Sequence, residues 1–267
     1  MSLPLVEAVF EFYSAAAPGW SQLSYARLEE QFKRRLPLVE TFNPVEMEIV
    51  FGPGGVPHQR RRENEIRRLW RADRGELFQF SADLCAYNVL SAYTHFEDHV
   101  ADLEAFYAAY LNECRPDAVR SVGQRYINKF SLPLGEPQPD AFFGLYPKLP
   151  PATSPRAFAV QVGVDRFDGG EVVLNLTYRG EELDRDIYFL DIYARSTQVV
   201  EPTAQALRAW QERAHLPVRN ALKLALTAKG TEHWGLELSP SHASFPRRAP
   251  PRRSTARRRS DGCSRTG

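Results

Sequence analysis

Hydrophobic and polar residues alternate near the start of the chain, which is the pattern of a β-strand with one buried face. Over Pro4–Tyr13, the apolar residues at every second position are Val6, Ala8, Phe10 and Phe12. The period then changes, because Leu28, Phe32 and Leu36 follow one another at intervals of four residues. This spacing predicts an amphipathic helix over Ser21–Leu36 that ends before the next proline.

Three further strands and a second helix are predicted before residue 116. The strands are Val45–Phe51, Ile66–Ala72 and Glu76–Ser81, the last two joined as a hairpin by a turn that contains Gly75. Thr94, followed three residues later by Glu97, has the pattern of a capping box, in which each side chain satisfies a free backbone amide. The sequence therefore predicts a long helix that begins at Thr94.

The same order of elements recurs after residue 116. A strand (Ala118–Leu132) and a short helical stretch (Asp140–Tyr146) come first. Three more strands are predicted, at Phe158–Val164, Val172–Tyr178 and Asp186–Tyr193. A helix follows over Glu201–Leu226, and Pro217 is expected to kink or split it. Each half thus consists of a strand, a helix, three strands and a long helix.

This order predicts an α+β fold built from two tandem repeats. Antiparallel hairpins followed by long helices favour a mainly antiparallel sheet with the helices packed on one face. The arrangement is TATA-binding-protein-like or helix-grip-like, an analogy that concerns the fold alone. We predict that residues 1–116 form the first half and that residues 117–240 form the second, packed on the first as one unit.

The charge is distributed unevenly between this predicted body and the end of the chain. The 267 residues carry a formal net charge of +1. Eight arginines against one acid give residues 241–267 a charge of +7, which leaves −6 for residues 1–240. The arginine-rich segment has few apolar residues, so we predict a disordered basic tail. Such a tail either binds nucleic acid or another anionic surface, or is an extension without a selected role.

Composition excludes several classes of protein. No apolar run approaches the roughly 18 residues that a membrane helix needs, and the start has no signal-peptide pattern, so no membrane partner is predicted. The three cysteines lie far apart, which favours a cytoplasmic location. Phosphate-binding glycine motifs, nucleophile elbows and zinc-type spacings are all missing from the sequence. We therefore predict no cofactor and lean against an enzyme.

Three segments together resemble a family of uncharacterised bacterial proteins with a sporadic distribution across genomes. They are PLVEAVFEF at Pro4–Phe12, the block Gln79–Tyr110, and QRYINKF at Gln124–Phe130, which is similar to the family's Arg-Tyr-Ile-Asn motif. The later strand FLDIYA (Phe189–Ala194) is similar to a Leu-Asp strand of the family. The resemblance implies no established activity, cofactor or catalytic residue. A patchy distribution suggests an accessory gene in a defence-type neighbourhood.

The strand that contains this motif supplies the first binding candidates, Arg125, Tyr126 and Asn128. Alternation places Tyr126 and Asn128 on one face, with Gln124, and Arg125 on the other. Buried polar groups are costly unless they are hydrogen-bonded. These residues therefore either join the two halves structurally or face a pocket.

The segment Arg60–Arg74 supplies the second group of candidates. It contains seven arginines and one tryptophan, and we single out Arg67, Trp70 and Arg71. Arginine beside an exposed aromatic ring is typical of phosphate and base-stacking contacts. Alternation along a strand sends neighbouring arginines to opposite faces, which favours a solvated sheet edge as the alternative.

A weak metal-binding candidate lies on the second predicted helix. His95 and His99 are four residues apart, and Asp102 follows on the same flank. This spacing presents two imidazoles to one ion. Histidines at the border of an apolar stripe are more often partly solvated side chains, so we predict no metal.

Three functional hypotheses follow from these observations. The leading one is a cytoplasmic binding or regulatory protein whose partner is another protein, in an accessory or defence-type locus. The second is a nucleic-acid-binding protein that uses the Arg60–Arg74 segment and the basic tail. The third is an enzyme with a pocket near the Arg-Tyr-Ile-Asn strand. The oligomeric state and the identity of any ligand are not predicted.

Overall fold

The computed structural model describes residues 4–15, 19–51, 57–63, 65–90, 93–134, 139–148 and 157–236. The predicted basic tail, residues 241–267, lies outside these ranges. None of the helices in the described ranges is both long enough and apolar enough to cross a membrane.

The chain has an α+β fold dominated by one antiparallel sheet. The strands are β1 (Leu5–Ser14), β2 (Leu38–Phe42), β3 (Val45–Phe51), β4 (Pro57–Glu63), β5 (Ile66–Trp70), β6 (Glu76–Phe80), β7 (Leu84–Val89), β8 (Val119–Pro133), β9 (Phe158–Phe167), β10 (Gly170–Glu182) and β11 (Arg185–Ser196). The helices are α1 (Gln22–Phe32), α2 (Val100–Cys114), α3 (Ala204–Ala225) and α4 (Ala228–His233). Short 3-10 turns lie at Phe96–His99 and Pro139–Ala141.

Nine strands form the large sheet in the order β2-β5-β6-β7-β1-β8-β11-β10-β9. Every neighbouring pair in this sheet is antiparallel. The pairing of β1 with β8 joins the strands before residue 116 to those after it. Strands β3 and β4 form a separate two-stranded sheet. The predicted α+β class and the mainly antiparallel sheet are therefore confirmed.

Aromatic side chains build the core between the first strands and the first two helices. Phe12 of β1 meets the rings of Tyr107 and Tyr110 of α2 edge-on, with centroids 4.9 and 5.3 Å apart. Phe78 of β6 stacks on Phe106 of α2 at 4.4 Å. Such pairs add specific geometry to the burial of large apolar areas. Of the apolar residues predicted on the buried face of β1, Ala8, Phe10 and Phe12 are buried, whereas Val6 is exposed.

Helix α3 contacts strands β8, β9, β10 and β11. Its N-terminus is capped by Thr203, whose hydroxyl accepts a hydrogen bond from the amide of Ala206 at 3.1 Å. Gln211 Nε2 of α3 donates to the Tyr107 hydroxyl of α2 at 2.6 Å, which links the two long helices. The helix continues through Pro217, so of the two predicted alternatives the split is wrong, and the kink stays a prediction. Burial on both sides of the proline, at Ala214 and Val218 for example, offsets the roughly 3 kcal/mol that an interior proline costs.

The predicted capping box at Thr94 is wrong. The Thr94 hydroxyl donates to the Asp98 carboxylate, and the turn at Phe96–His99 is a 3-10 turn that precedes α2. The helix itself begins at Val100. Because the threonine side chain binds another side chain, it leaves the backbone amides of the turn without the predicted cap.

Three strands were not predicted, helix α1 is shorter than expected, and the helical stretch predicted at Asp140–Tyr146 is only a 3-10 turn at Pro139–Ala141. β2, β4 and β7 were not predicted, and β3 pairs with β4 instead of joining the large sheet. Five consecutive residues of β7, Cys85–Val89, are buried, so both faces of this strand are covered. A strand buried on both faces shows no alternation of polar and apolar residues. Helix α1 ends at Phe32, four residues before the predicted end.

Candidate functional site

The two faces of β8 have different environments, as alternation predicts. Gln124, Tyr126 and Asn128 are buried on the face that α3 covers, which we call the α3 face. Arg125 lies on the other, which we call the opposite face. β8 pairs with β1 on one side and with β11 on the other, so side chains from three adjacent strands meet on each face.

A cavity of about 170 Å³ opens on the α3 face of β8. Strands β1, β8 and β11 form its floor, α3 covers it, and residues before the 3-10 turn at Phe96 close one side. Half of its lining is apolar: Pro4, Leu5, Ile192, Val218, Leu222 and Leu236. The other six lining residues have polar groups: Tyr93, Thr94, Tyr126, Asn128, His215 and Arg219. The surface that they and their neighbours present to the cavity is nevertheless almost entirely apolar. The structure therefore brings the predicted candidates Tyr126 and Asn128 together in one cavity.

Two tyrosine hydroxyls form a hydrogen-bonded pair in the cavity wall. The hydroxyl oxygens of Tyr93 and Tyr126 are 2.8 Å apart, and Gln124 Nε2 donates to the Tyr126 hydroxyl at 2.7 Å. Burial raises the pKa of Tyr126 to about 12, and the hydrogen bonds from Tyr93 and Gln124 oppose that rise. Both phenols thus keep their protons at neutral pH, since burial also raises the pKa of Tyr93.

Four residues of α3 reach the cavity because they share one side of the helix. His215, Val218, Arg219 and Leu222 are spaced three and four residues apart, which aligns them along about two turns. The His215 imidazole stacks on Phe96 with ring centroids 5.5 Å apart. Burial lowers the pKa of His215, so its imidazole is neutral at neutral pH.

Asn128 both joins strands and lines the cavity. Its Nδ2 donates to the carbonyl of Leu190 in β11 at 3.2 Å and to the carbonyl of Tyr126 at 3.4 Å. The sequence left structural joining and a pocket as alternatives for this residue. Asn128 has hydrogen bonds that join two strands and also lines the cavity, so its position is consistent with both alternatives.

Arg125 forms a two-pronged ion pair on the opposite face. Its Nε and Nη2 donate to the two carboxylate oxygens of Asp191 at 2.7 and 2.6 Å. Asn175 Nδ2 also donates to Asp191, at 3.3 Å, so the cluster connects β8, β11 and β10. This planar geometry is the strong form of an arginine–carboxylate contact. The structure thus places Arg125 away from the cavity that contains Tyr126 and Asn128.

Glu11 extends this cluster to β1. Its carboxylate accepts hydrogen bonds from Tyr13, at 3.3 Å, and from Tyr193. Tyr193 crosses β8 at Gly123, where an added Cβ would lie 2.8 Å from the tyrosine ring. Burial raises the pKa of Glu11, while the hydroxyl hydrogen bond from Tyr193 and the charge of Arg125 oppose the rise.

Arg67, Trp70 and Arg71 lie near the other end of the large sheet, and acidic groups of the same chain engage each of them. Arg67 contacts Glu29 at 3.1 Å and Glu65 at 2.6 Å. Arg71 contacts Asp73 and Glu76 at 2.7 and 2.6 Å. The indole Nε1 of Trp70 donates to Glu40 at 2.8 Å. These contacts favour the structural interpretation of this segment over phosphate binding.

The weak metal candidates do not form a ligand set. Asp102 is ion-paired with Arg35, and the His99 ring stacks on Tyr93 with centroids 5.3 Å apart. His95 precedes the 3-10 turn as its N-cap. Across the part of the chain that the structure describes, no group of three or more His, Cys, Asp or Glu side chains is arranged to hold a metal ion.

Sequence analysis missed the cavity residues contributed by other elements, namely Tyr93, His215 and Arg219. The available signal was the helical spacing of His215 and Arg219 with Val218 and Leu222, which marks one side of a helix as partly polar. No local pattern reveals that this side faces β8. No family model, curated protein or solved structure matches the chain.

Proposed function

We propose that this chain is a binding protein that takes a small, mainly apolar ligand into the cavity between β8 and α3. The cavity of about 170 Å³ is the observation that supports the proposal. An apolar protein cavity of about 150 Å³ is large enough to bind benzene, so the expected ligand has about one ring or a short branched chain. Ligand sites are lined predominantly by apolar side chains, and the walls of this cavity are almost entirely apolar, which suits an apolar ligand.

The proposal keeps the function class that the sequence favours, a binding or regulatory protein, and adds a ligand to it. A protein partner, an accessory or defence-type locus and a cytoplasmic location stay predictions. So does membership of the sporadically distributed bacterial family. Nucleic-acid binding through the Arg60–Arg74 segment and the basic tail has less support, because acids of the same chain engage three arginines of that segment, Arg67, Arg71 and Arg74. The third hypothesis is an enzyme with a pocket near the Arg-Tyr-Ile-Asn strand, and the same cavity would be that pocket.

A duplicated scaffold is the architecture we propose around this cavity. Outward from the central β1–β8 pair, the sheet continues as β7-β6-β5 on one side and as β11-β10-β9 on the other, and β2 extends the first side by one strand. In each half, the strand next to the centre is thus the last strand before a long helix, α2 or α3. This matching order supports two related halves, with boundaries near residues 116 and 240, and the TATA-binding-protein-like or helix-grip-like arrangement. Helices on one face of the sheet and a disordered tail belong to the same proposal.

Binding of toluene, a probe of about the expected size, tests the proposed function. We expect ligand-observed NMR to detect toluene on the native chain. We also expect toluene at tenfold its Kd to raise the melting temperature by about 3 °C, since saturation stabilises the folded state. Leu222→Trp fills the cavity from α3 and should abolish both effects.

The matched control is Leu224→Trp on the same helix. Leu224 is exposed and does not line the cavity, so this variant should bind toluene as the native chain does. The proposed function is overturned if toluene binds neither native protein nor control. Equal binding to the Leu222→Trp variant would also overturn it, because the toluene would then lie elsewhere.

A further inference from the structure

We propose that strand β9, at the free edge of the large sheet, pairs antiparallel with β9 of a second copy of this chain. Such a two-fold dimer would join two nine-stranded sheets into one continuous sheet. The proposal is independent of the cavity, because no residue of β9 lines it. Three features of the edge support it: unused backbone groups, a partly covered apolar row, and the distribution of charge.

The backbone of β9 has hydrogen-bonding groups to offer to another strand. In the described ranges, β9 pairs with β10 on one side and is the last strand of the sheet on the other. Its pairing with β10 is unbroken by a bulge over residues 158–163. Every second residue of an edge strand directs its amide and carbonyl groups away from the sheet, where they are a template for a further strand. Because β9 has ten residues, about five of them present such groups.

One face of β9 carries a row of apolar side chains that the protein covers only in part. Val162 lies opposite Leu174 of β10, which in turn lies opposite Ile192, a residue of the cavity lining. Residues opposite each other in a sheet share a face, so Val162 lies on the α3 face, and alternation places Val160 and Phe158 there as well. Val162 is nevertheless 36% exposed, and the other two are only half-buried. The row therefore leaves apolar surface in water at the edge of the sheet.

Helix α3 adds an exposed leucine beside this row. Trp210 of α3 contacts Phe167 at the end of β9, with ring centroids 5.7 Å apart. Leu224 follows Trp210 by two heptads, which places it within about 40° of the tryptophan around the helix axis. Its side chain is 56% exposed. The side of α3 that faces β9 is thus apolar and partly open.

The end of α3 lies close to the start of β9. The carbonyl of Ala225 accepts a hydrogen bond from the amide of Gly144 at 2.9 Å. Tyr146, two residues later, packs on Phe158 with ring centroids 5.2 Å apart. Leu224 therefore belongs to the same part of the surface as the row, and we call Phe158, Val160, Val162 and Leu224 together the β9 patch.

The charges along β9 suit a second copy of the strand. Residues 158–164 carry no charge, and the first charged residue of β9 is Asp165. In a two-fold pair centred on Val160, Phe158 of each copy lies opposite Val162 of the other, and the two apolar rows form one. A two-fold interface brings the same patch of both copies together, so like charges in the middle of the strand would oppose it. β9 has none there.

The strand at the other end of the sheet, β2, is less suited to such pairing. β2 has five residues, and the central one is Glu40. Two copies of β2 paired about this centre would set Glu40 against Glu40, and like charges directly opposite each other destabilise a pair of strands. Charge on an edge strand is one of the means by which proteins prevent this pairing. The comparison of the two edges therefore favours β9.

Analytical ultracentrifugation of the full chain, from about 1 to about 100 μM, tests the proposal. We expect the native chain to form a dimer at the upper end of this range. Val162→Lys places a charge in the apolar row and should raise the dissociation constant at least about tenfold, because the charge would lose water on pairing. Leu224→Lys changes the β9 patch without altering a strand and should also weaken the dimer. Circular dichroism verifies that the variants are folded.

Val39→Lys is the matched control, since Val39 is an exposed valine of the other edge strand, β2. It should leave the dissociation constant unchanged. The proposal is wrong if the native chain is monomeric throughout the range, if Val39→Lys weakens the dimer as much as Val162→Lys, or if neither variant of the β9 patch weakens it. Toluene should bind to the Val162→Lys variant as it does to the native chain, so the dimer and the proposed function are tested separately.

Discussion

The two faces of β8 show how one strand can combine a structural cluster with a binding site. On the opposite face, Arg125 has both oxygens of Asp191 as partners, and Glu11 accepts two tyrosine hydroxyls. On the α3 face, Tyr126 and Asn128 line a cavity that is almost entirely apolar. The residues of the opposite face are thus held by charged contacts within the protein, whereas those of the α3 face border unfilled space.

The two faces also differ in how the backbone is packed. At Gly123 on the opposite face, the missing side chain is replaced by the ring of Tyr193, which reaches across the strand to Glu11. On the α3 face, the space above Tyr126 and Asn128 contains no protein atoms within the described ranges. Filled space with satisfied charges indicates a role in stability, whereas open space with apolar walls favours the proposed role in binding.

The largest effect that we expect is a loss of stability when the ion pair of the opposite face is broken. Arg125→Ala leaves the Asp191 carboxylate, whose side chain is only 13% exposed, without its cation. Removing one partner of a buried pair costs about 3–5 kcal/mol, and the 43% exposure of Arg125 reduces this to about 2 kcal/mol. Urea unfolding followed by circular dichroism measures the change.

Lys129→Ala is the matched control for that variant, because Lys129 lies on the same face of the same strand. Its contact with Glu182 joins two side chains that are 37% and 56% exposed, so its loss should cost about 0.5 kcal/mol or less. Equal losses in the two variants would contradict the structural role assigned to Arg125. Toluene binding should persist in both variants, since neither residue lines the cavity.

A smaller loss of stability and a larger change in binding are expected on the α3 face. Asn128→Leu removes the hydrogen bonds to the carbonyls of Leu190 and Tyr126, which have ladder contacts in the sheet as well. We expect a cost of about 1 kcal/mol, because burial of the leucine offsets part of the loss. The larger apolar side chain should narrow the cavity and weaken toluene binding.

The stability and toluene binding of Asn128→Leu are to be compared with those of Arg125→Ala. If Asn128→Leu destabilises the chain as much as Arg125→Ala and binds toluene normally, Asn128 is a structural residue and the contrast between the faces is lost. Unfolding in urea and the toluene titration must therefore be carried out on the same preparations.

The sequence was sufficient to predict the side chains that share a face of β8. Alternation with period two is a property of the extended backbone, so Tyr126 and Asn128 had to lie together and Arg125 had to lie apart. The α+β class followed in the same way from strands and helices that could be recognised locally. The strand β7 could not be recognised, because burial on both faces removes the alternation that reveals a strand.

The partners of these side chains could not be predicted, because tertiary structure alone brings them together. Tyr93 and Tyr126 are 33 residues apart in sequence, and Arg125 and Asp191 are 66 apart. The error at Thr94 has a different, local cause, since Asp98, four residues along the chain, competes for the hydroxyl that a cap would use. Local patterns therefore predict which residues share a face, and packing decides what each face contacts.

The smallest effect that we expect is a pH dependence of stability at Glu11. Burial raises the pKa of this carboxyl in the folded chain above its ordinary value, so the folded state holds the proton more tightly than the unfolded state. Glu11 therefore costs nothing below the unfolded pKa and destabilises the fold increasingly as the pH rises through the raised pKa. Glu11→Gln removes this titration and keeps an acceptor for Tyr193. The free energy of unfolding of the variant, measured in urea from pH 4 to pH 8, should gain on that of the native chain as the pH rises. A difference that stays constant over this range would show that Glu11 is as well solvated as a surface carboxylate, and the opposite face would then lack the buried centre that distinguishes it from the cavity.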